Sequence, residues 1–144
     1  MKRFVRCVSM LMIVALLLTN PVFAAEGASA RSSSYFMCSS VYLWKTSDTT
    51  FEVWFDVVSV DTMAQLGASV IKVQRSGDGT NWTTMKTYTK EDYADMICEN
   101  TIAHASCVSY TGAPGYYYRA YIILYAKNSS GTGLMPEYTE PKRL

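Results

Sequence analysis

Histidine is nearly absent from this sequence, because His104 is the only one among its 144 residues. A Ser-His-acid or Cys-His catalytic site would have to use this one side chain. His104 lies in the segment CENTIAHASC, between Cys98 and Cys107, and adding Cys38 gives a Cys3His set that could hold zinc on paper. The spacing fits no familiar zinc-ligand pattern, and a disulfide explains the cysteines better. We therefore expect no enzyme activity, no metal and no cofactor.

The sequence also lacks a basic cluster and any apolar run long enough to span a bilayer. Without clustered Lys and Arg, a nucleic-acid partner is not expected. The longest apolar run, Val8–Leu18, is about half of the roughly 20 residues that a membrane helix needs. It follows a basic start, and Val22 and Ala24 suit a cleavage site. We predict a signal peptide over residues 1–24, cleavage after Ala24, secretion, and no membrane attachment afterwards.

The rest of the chain has the length of one small domain. Removing residues 1–24 removes three of the thirteen Lys and Arg and none of the twelve Asp and Glu, so the formal charge changes from +1 to about −2. Residues 25–34 are mostly Ala, Ser and Gly and predict a disordered leader. Residues 35–144 are enough for one domain with one core.

Three cysteines remain after cleavage, and an odd number leaves one thiol unpaired within the chain. Cys98 and Cys107 close the shortest loop, so we predict a disulfide between them. Cys38 is then free, or it links two chains into a dimer. Pairing of Cys38 with either of the others stays open, because a bridge depends on facing geometry.

Alternation of apolar and polar residues predicts an all-β chain of about seven strands. In FEVWFDVVSV, Phe51 and Phe55 alternate with Trp54 and Asp56, so Trp54 is predicted on the wet face. DTMAQLG, residues 61–67, reads as one helical turn or a loop. The predicted strands cover residues 35–44, 51–60, 68–76, 81–89, 106–110, 116–127 and 134–139.

Residues 89–100, TKEDYADMICEN, break the strand pattern. Thr89 followed by Asp92 resembles a capping box, so we predict a helix of about two to three turns that stops near Asn100. Its acidic residues would share one solvated side, and no cleft favours their use as a catalytic pair. These residues are Glu91, Asp95 and Glu99.

The stretch RSGDGTNWTT, residues 75–84, has the composition of either a ligand-binding loop or a turn. A phosphate loop requires a following helix, but a β-branched strand follows here. Asp78 has no companions patterned for calcium. The dipeptide Asp78-Gly79 is favoured in tight β-turns, so we predict a hairpin.

The strand YYYRAYIILYAK contains the candidate binding residues. Its alternation places Tyr117, Arg119, Tyr121 and Tyr125 on the side marked as outward by Arg119 and Lys127. Tyr117 and Tyr121 would stand about 13 Å apart along the strand. Exposed tyrosines can stack on sugar rings or contact a protein, although cross-strand aromatic pairs can also simply stabilise a sheet.

Two segments resemble strands of fibronectin type III domains. IKVQRSGDGTNWTTMKTY resembles the third and fourth strands with their hairpin, and YYYRAYIILYAKNSSGTG resembles the sixth strand and its turn. The chain also resembles an uncharacterised family of small secreted Gram-positive bacterial proteins, roughly over residues 57–139, and this resemblance implies no activity. The resemblance implies an antiparallel fibronectin type III or immunoglobulin-like β-sandwich of about seven strands, here with one short inserted helix.

Together these features lead us to expect a secreted, non-catalytic binding or surface-interaction module. Its partner would be an extracellular carbohydrate or protein, bound through an exposed tyrosine face that Trp54 or Trp82 could join. The alternative is a structural or self-assembling extracellular protein that uses exposed β-edges and Cys38. The chain would be a monomer or a Cys38-linked dimer.

Overall fold

The computed structural model describes residues 34–144, and within them the chain is all-β. The predicted signal peptide and all of the predicted leader except Ser34 lie outside the described residues. One antiparallel sheet contains seven strands, and a single 3-10 turn covers Ala94–Met96. The strands are β1 (Phe36–Lys45), β2 (Thr50–Ser76), β3 (Thr83–Thr89), β4 (Ile97–Thr111), β5 (Tyr117–Asn128), β6 (Gly131–Tyr138) and β7 (Lys142–Arg143).

Strand β2 is the centre of the sheet and has neighbours along both of its sides. Its first part lies between β1 and β4, because both of these strands pair with residues 51–58. Its second part lies between β5 and β3, because both pair with residues 70–75. Strand β5 then pairs with β6 and with the short β7. The sheet therefore has two halves, β1–β2–β4 and β3–β2–β5–β6, that share β2.

The sheet curls into a half-barrel that brings the two ends of β2 together. The Phe51 and Tyr118 rings lie 5.2 Å apart between centroids, although Phe51 begins β2 and Tyr118 pairs with Arg75 near its end. Register irregularities within residues 58–63 and 68–70 bend the strand between these points. The inner face of the curl holds the core. Its largest fully buried side chains include Tyr118, Phe51, Phe55, Leu43, Met63 and Leu66.

The alternation read from FEVWFDVVSV is confirmed. Phe51 and Phe55 are buried on the inner face, whereas Trp54 is half-buried and Asp56 is exposed on the outer face. The segment at residues 61–67 is neither a helical turn nor a loop, since β2 continues through it. Leu66 in this segment pairs with β4 on one side and with β5 on the other. The hydrogen bonds of two neighbouring strands therefore hold these residues extended.

The predicted helix over residues 89–100 is wrong. Thr89 Oγ1 does donate a hydrogen bond to Asp92 Oδ2 at 2.9 Å, as a capping residue would. After the single 3-10 turn, however, Ile97 enters β4 opposite Gly67. A helix this short is marginal without tertiary support, whereas the edge of β2 offers partners for the backbone of β4. Asn100, the expected helix stop, lies within β4 and has a φ of 52°.

The predicted Cys98–Cys107 disulfide is also wrong. Both residues lie on β4, where Cys98 is opposite Leu66 and Cys107 is opposite Trp54. Nine steps along an extended strand cover on the order of 25 Å, far beyond the ~7 Å between Cα atoms that a disulfide tolerates. Cys38, Cys98 and Cys107 are all free thiols. Within residues 34–144, no helix has the length and hydrophobicity needed to cross a membrane.

Candidate functional site

The hairpin predicted between residues 75 and 84 is confirmed, and it connects β2 to β3. Asp78 organises it: Oδ1 accepts hydrogen bonds from the Thr80 and Asn81 amides at 2.8 and 2.9 Å and from Ser76 Oγ at 2.8 Å. Its Oδ2 accepts a fourth hydrogen bond from Asn81 Nδ2. These hydrogen bonds, led by the one from the Asn81 amide, hold the pKa of the Asp78 carboxyl well below its usual range. The turn is thus a rigid support for Trp82, which follows it.

The outer face of β5 contains the residues that the sequence singled out. Tyr117, Arg119 and Tyr121 are half-buried on this side, whereas Tyr118 and Ala120 between them are buried on the inner face. The predicted division of the strand into two faces is confirmed for these positions. Tyr117 and Tyr121 stand on either side of Arg119, which is therefore central to the row.

Arg119 lies between two aromatic rings. Its guanidinium carbon is 4.4 Å from the Trp82 ring centroid and 4.7 Å from that of Tyr138. Its Nε donates a hydrogen bond to Gln74 Oε1 at 2.8 Å. Gln74 is opposite Arg119 on β2, so the sheet register fixes this contact. Contacts with two rings and a hydrogen bond at Nε restrict the orientation of the guanidinium.

Tyr138, which is not among the binding residues predicted from the sequence, extends this arrangement across the sheet. It is opposite Tyr121 in the β5–β6 register, and the two ring centroids are 4.8 Å apart. The Tyr138 side chain is 55% exposed, more than any of the three β5 residues. Alternation in LMPEYT could have placed Tyr138 on an outer face, but only the strand register shows its partner. We call Trp82, Tyr117, Arg119, Tyr121 and Tyr138 the outer aromatic face.

The two ends of the outward row on β5, Tyr117 and Tyr125, differ in how far they are covered. At one end the Arg143 guanidinium carbon lies 5.6 Å from the centroid of the Tyr117 ring. At the other end Tyr125, expected to be outward and open, is 9% exposed. Lys90 Nζ lies 4.1 Å from the centroid of its ring, and its hydroxyl donates a hydrogen bond to Gln65 Oε1 at 3.4 Å. Tyr125 is therefore covered, and the open surface ends at Tyr121.

A second aromatic cluster lies on the outer face of the other half of the sheet. Tyr42 and Trp54 are opposite each other on β1 and β2, with rings parallel within 3° and centroids 6.3 Å apart. Trp54 Nε1 donates a hydrogen bond to Glu52 Oε2 at 2.8 Å, and Trp44 beside them is 60% exposed. Trp82 therefore joins the tyrosine row, whereas Trp54 belongs to a separate surface.

The residues considered for nucleophilic or metal chemistry are in other surroundings. His104 Nε2 is 2.9 Å from the Asp95 carbonyl oxygen, and its ring packs edge-on against Phe55 at 5.6 Å. Burial, and then the Glu52 carboxylate, raise the pKa of the Cys107 thiol above its usual value. A thiol with a raised pKa is a weaker nucleophile at neutral pH. In the part of the chain that the structure describes, no group of three His, Cys, Asp or Glu residues is placed to hold a metal ion.

The chain matches no family model, and no curated protein sequence matches it. The outer aromatic face offers four aromatic side chains and one guanidinium on the solvent side of paired strands. Such a surface can bind a partner by ring stacking, by charge and by hydrogen bonds.

Proposed function

We propose that this chain is a secreted, non-catalytic binding module that contacts an extracellular carbohydrate or protein through the outer aromatic face. The observation that carries the proposal is the stacked arrangement of Trp82, Arg119 and Tyr138, with Tyr121 against Tyr138. Tyrosine, tryptophan and arginine are the side chains that contribute most at binding surfaces, because each combines a large apolar area with a polar group.

The arrangement supports binding because its side chains are already ordered. Immobilising a flexible side chain on association costs about 0.5–1.5 kcal/mol. Arg119 has that freedom restricted by Gln74 and by the two rings that flank it. The Asp78 turn fixes the Thr80 and Asn81 amides, directly before Trp82 in the chain. A partner would therefore meet a surface that needs little rearrangement.

The test is an array of glycans and cell-wall fragments probed with the wild-type chain lacking residues 1–24. Tyr121→Ala and Tyr138→Ala each remove one ring from the outer aromatic face and should weaken binding up to about tenfold, the equivalent of 1.4 kcal/mol. Trp44→Ala is the control, since it removes an aromatic side chain from the other half of the sheet that is about as exposed as Tyr138. Binding that Tyr121→Ala and Tyr138→Ala leave unchanged would exclude this face.

A second candidate function is self-assembly, and one observation favours it. Strand β4 pairs with β2 along one side, and its other side has no partner strand within residues 34–144. The strand is 15 residues long and carries an Ile102 side chain that is 55% exposed. Long edges of low charge are the ones that pair with another chain. Sedimentation with and without reductant tests this. Edge pairing gives oligomers in both conditions, whereas a Cys38 disulfide gives a dimer only in the absence of reductant.

We also propose that the curled sheet is a variant of the fibronectin type III or immunoglobulin-like β-sandwich. The contact between Phe51 and Tyr118 supports this, because it brings the inner faces of the two half-sheets together around one core. In a sandwich the two sheets lie about 10 Å apart with their strands within about 30° of each other. A crystal structure with that geometry would establish the relationship, and an open curl would reject it.

A further inference from the structure

Arg119 of the outer aromatic face and Arg143 beside it contact aromatic rings and not carboxylates. Arg119 contacts Trp82 and Tyr138, and Arg143 contacts Tyr117, as described above. Within residues 34–144 the single ion pair with nitrogen and oxygen inside 4.0 Å joins Lys45 to Asp48, on the other half of the sheet. The charges of the face are thus uncompensated at close range, and contact with a ring leaves a cation able to bind an anion as well.

The guanidinium of Arg119 has free hydrogen-bond donors. Its Nε is used by Gln74, but Nη1 and Nη2 make no hydrogen bond to any residue between 34 and 144. These two nitrogens carry four N–H groups in a planar fork, which matches the two oxygens of a carboxylate or sulfate. Because the rings and Gln74 already fix the plane, the fork needs no reorientation before it binds.

Other charges near the face favour the same kind of ligand. Lys72 is opposite Tyr121 on β2 and adds a cation beside the row. Asp78 is close in the chain, but its two oxygens already accept four hydrogen bonds. The Glu137 carboxylate does not face Arg119. Its position on β6 is opposite Ile122 of the inner face, and it accepts a hydrogen bond from Ser39 Oγ at 2.7 Å. Glu140 is exposed beyond the end of β6 and pairs with none of these cations.

We propose that the outer aromatic face binds a negatively charged polysaccharide, with Arg119 as the central contact for its anionic groups. This inference rests on the proposed function and specifies its ligand. The rings of Tyr117, Tyr121 and Tyr138 would stack on sugar rings, while Arg119 and Lys72 bind carboxylate or sulfate groups along the same polymer.

The backbone of this face favours a polysaccharide over an acidic peptide. An extended peptide gains much of its affinity by adding a strand to an open sheet edge. Strand β5 has no open edge beside Arg119 and Tyr121, since it pairs with β2 on one side and with β7 and then β6 on the other. Between β7 and β6, Thr139 takes up the backbone of Ala120: the Thr139 amide donates to the Ala120 carbonyl, and the Ala120 amide donates to Thr139 Oγ1. The face therefore offers only side chains. Sugars, whose ring faces are apolar and whose edges are polar or charged, need nothing more.

The test is affinity electrophoresis or calorimetry with carboxymethyl-dextran, unmodified dextran and poly-glutamate at 150 mM NaCl. The wild-type chain lacking residues 1–24 should bind carboxymethyl-dextran at least tenfold more tightly than dextran, and more weakly as salt rises. Arg119→Gln should lose at least tenfold of that affinity, and Arg119→Lys less. Lys45→Gln is the matched control, because it removes one positive charge from the other half of the sheet, and it should change affinity by less than twofold.

Each other outcome overturns the inference. Binding of dextran and carboxymethyl-dextran with equal affinity, unaffected by Arg119→Gln, would refute the charge requirement and leave the proposed function standing. Equal binding of poly-glutamate would point to an acidic protein as the partner. No binding of any of these or of the glycan array would overturn the inference and would also remove the carbohydrate partner from the proposed function. If Arg119→Gln lowers the melting temperature, the test is repeated with the double variant Lys72→Gln, Arg143→Gln. This variant removes two positive charges and keeps the contacts of Arg119 with Trp82 and Tyr138.

Discussion

The Arg119 guanidinium carbon lies 4.4 Å from the centre of the Trp82 ring, and this contact joins the β2–β3 turn to β5. Tyr138 on the opposite side of Arg119 adds β6 to the same contact. One arginine therefore connects a turn and two strands that are distant in the sequence. The turn and the tyrosine strand, which look like separate features of the chain, form a single surface.

The stacking of Arg119 on Trp82 should be measurable as a coupling energy. A double-mutant cycle with Trp82→Ala, Arg119→Ala and the double variant should give about 0.5–1 kcal/mol in the free energy of unfolding, the usual range for a partly exposed cation–π contact. Urea unfolding followed by fluorescence measures it. A cycle between Trp44 and Arg119, which lie on different halves of the sheet, should give no coupling. Equal values in the two cycles would mean that the contact does not form in solution.

Gly67 is expected to be the glycine least tolerant of substitution. It lies in β2 where β4 and β5 pair with it on both sides, and its φ is 154°. A Cβ at this position would collide with the backbone carbonyl of Met96, which cannot move without displacing the start of β4. Gly67→Ala should therefore cost more than about 3 kcal/mol of unfolding free energy, since it combines overpacking with an unfavourable φ.

Gly115 provides the matched control for this prediction. Its φ is 87°, also in the region that favours glycine, but a Cβ there would meet no atom within 4 Å. Gly115→Ala should then cost only the conformational penalty of about 1–2 kcal/mol. Thermal unfolding of both variants distinguishes the two contributions. A Gly67→Ala variant as stable as Gly115→Ala would contradict the close approach of Met96.

Local patterns in the sequence were enough to place Tyr117, Arg119 and Tyr121 on one side of β5. Alternation in YYYRAYIILYAK separates buried Tyr118 from half-buried Arg119 because each strand position alternates between two faces. The Asp78-Gly79 turn was recognisable because its backbone conformation depends on its own residues. Tyr138, in contrast, joins Arg119 through the register between β5 and β6, and register depends on pairing over distance, which alternation does not specify.

The wrong predictions failed for the same reason. Residues 89–100 have a local capping pattern, but Ile97 and the residues after it form a strand because they pair with the edge of β2. That change also separates Cys98 from Cys107, because an extended segment moves apart residues that a helix or turn would keep close. The burial of Tyr125 could not be read from its strand either, since the residue that covers it, Lys90, lies in another segment.

The Asp78 turn should make stability depend on pH in a defined window. Its folded-state pKa is depressed, so its stabilising contribution is complete above the unfolded value near pH 4 and is lost as pH falls through the lower folded value. Asp78→Asn should lower the melting temperature at pH 7, and the difference from wild type should stay constant from pH 8 to 5 and shrink below pH 4. Asp56→Asn, at an exposed position on the outer face of the other half of the sheet, is the control. A difference that grows on acidification would contradict the hydrogen bonds assigned to Asp78.

The three thiols should all be available for alkylation without reduction. Iodoacetamide added in denaturant to the chain lacking residues 1–24 should attach to Cys38, Cys98 and Cys107, because none of them is in a disulfide. Under native conditions exposed Cys38 should react first, and Cys107 should react slowly because burial both shields its thiol and raises its pKa. Intact-mass spectrometry counts the adducts, with a reduced sample as the control. One adduct would mean that two cysteines are bridged within the chain, as in the Cys98–Cys107 disulfide, whereas four adducts on a doubled mass that reductant halves would support assembly through Cys38.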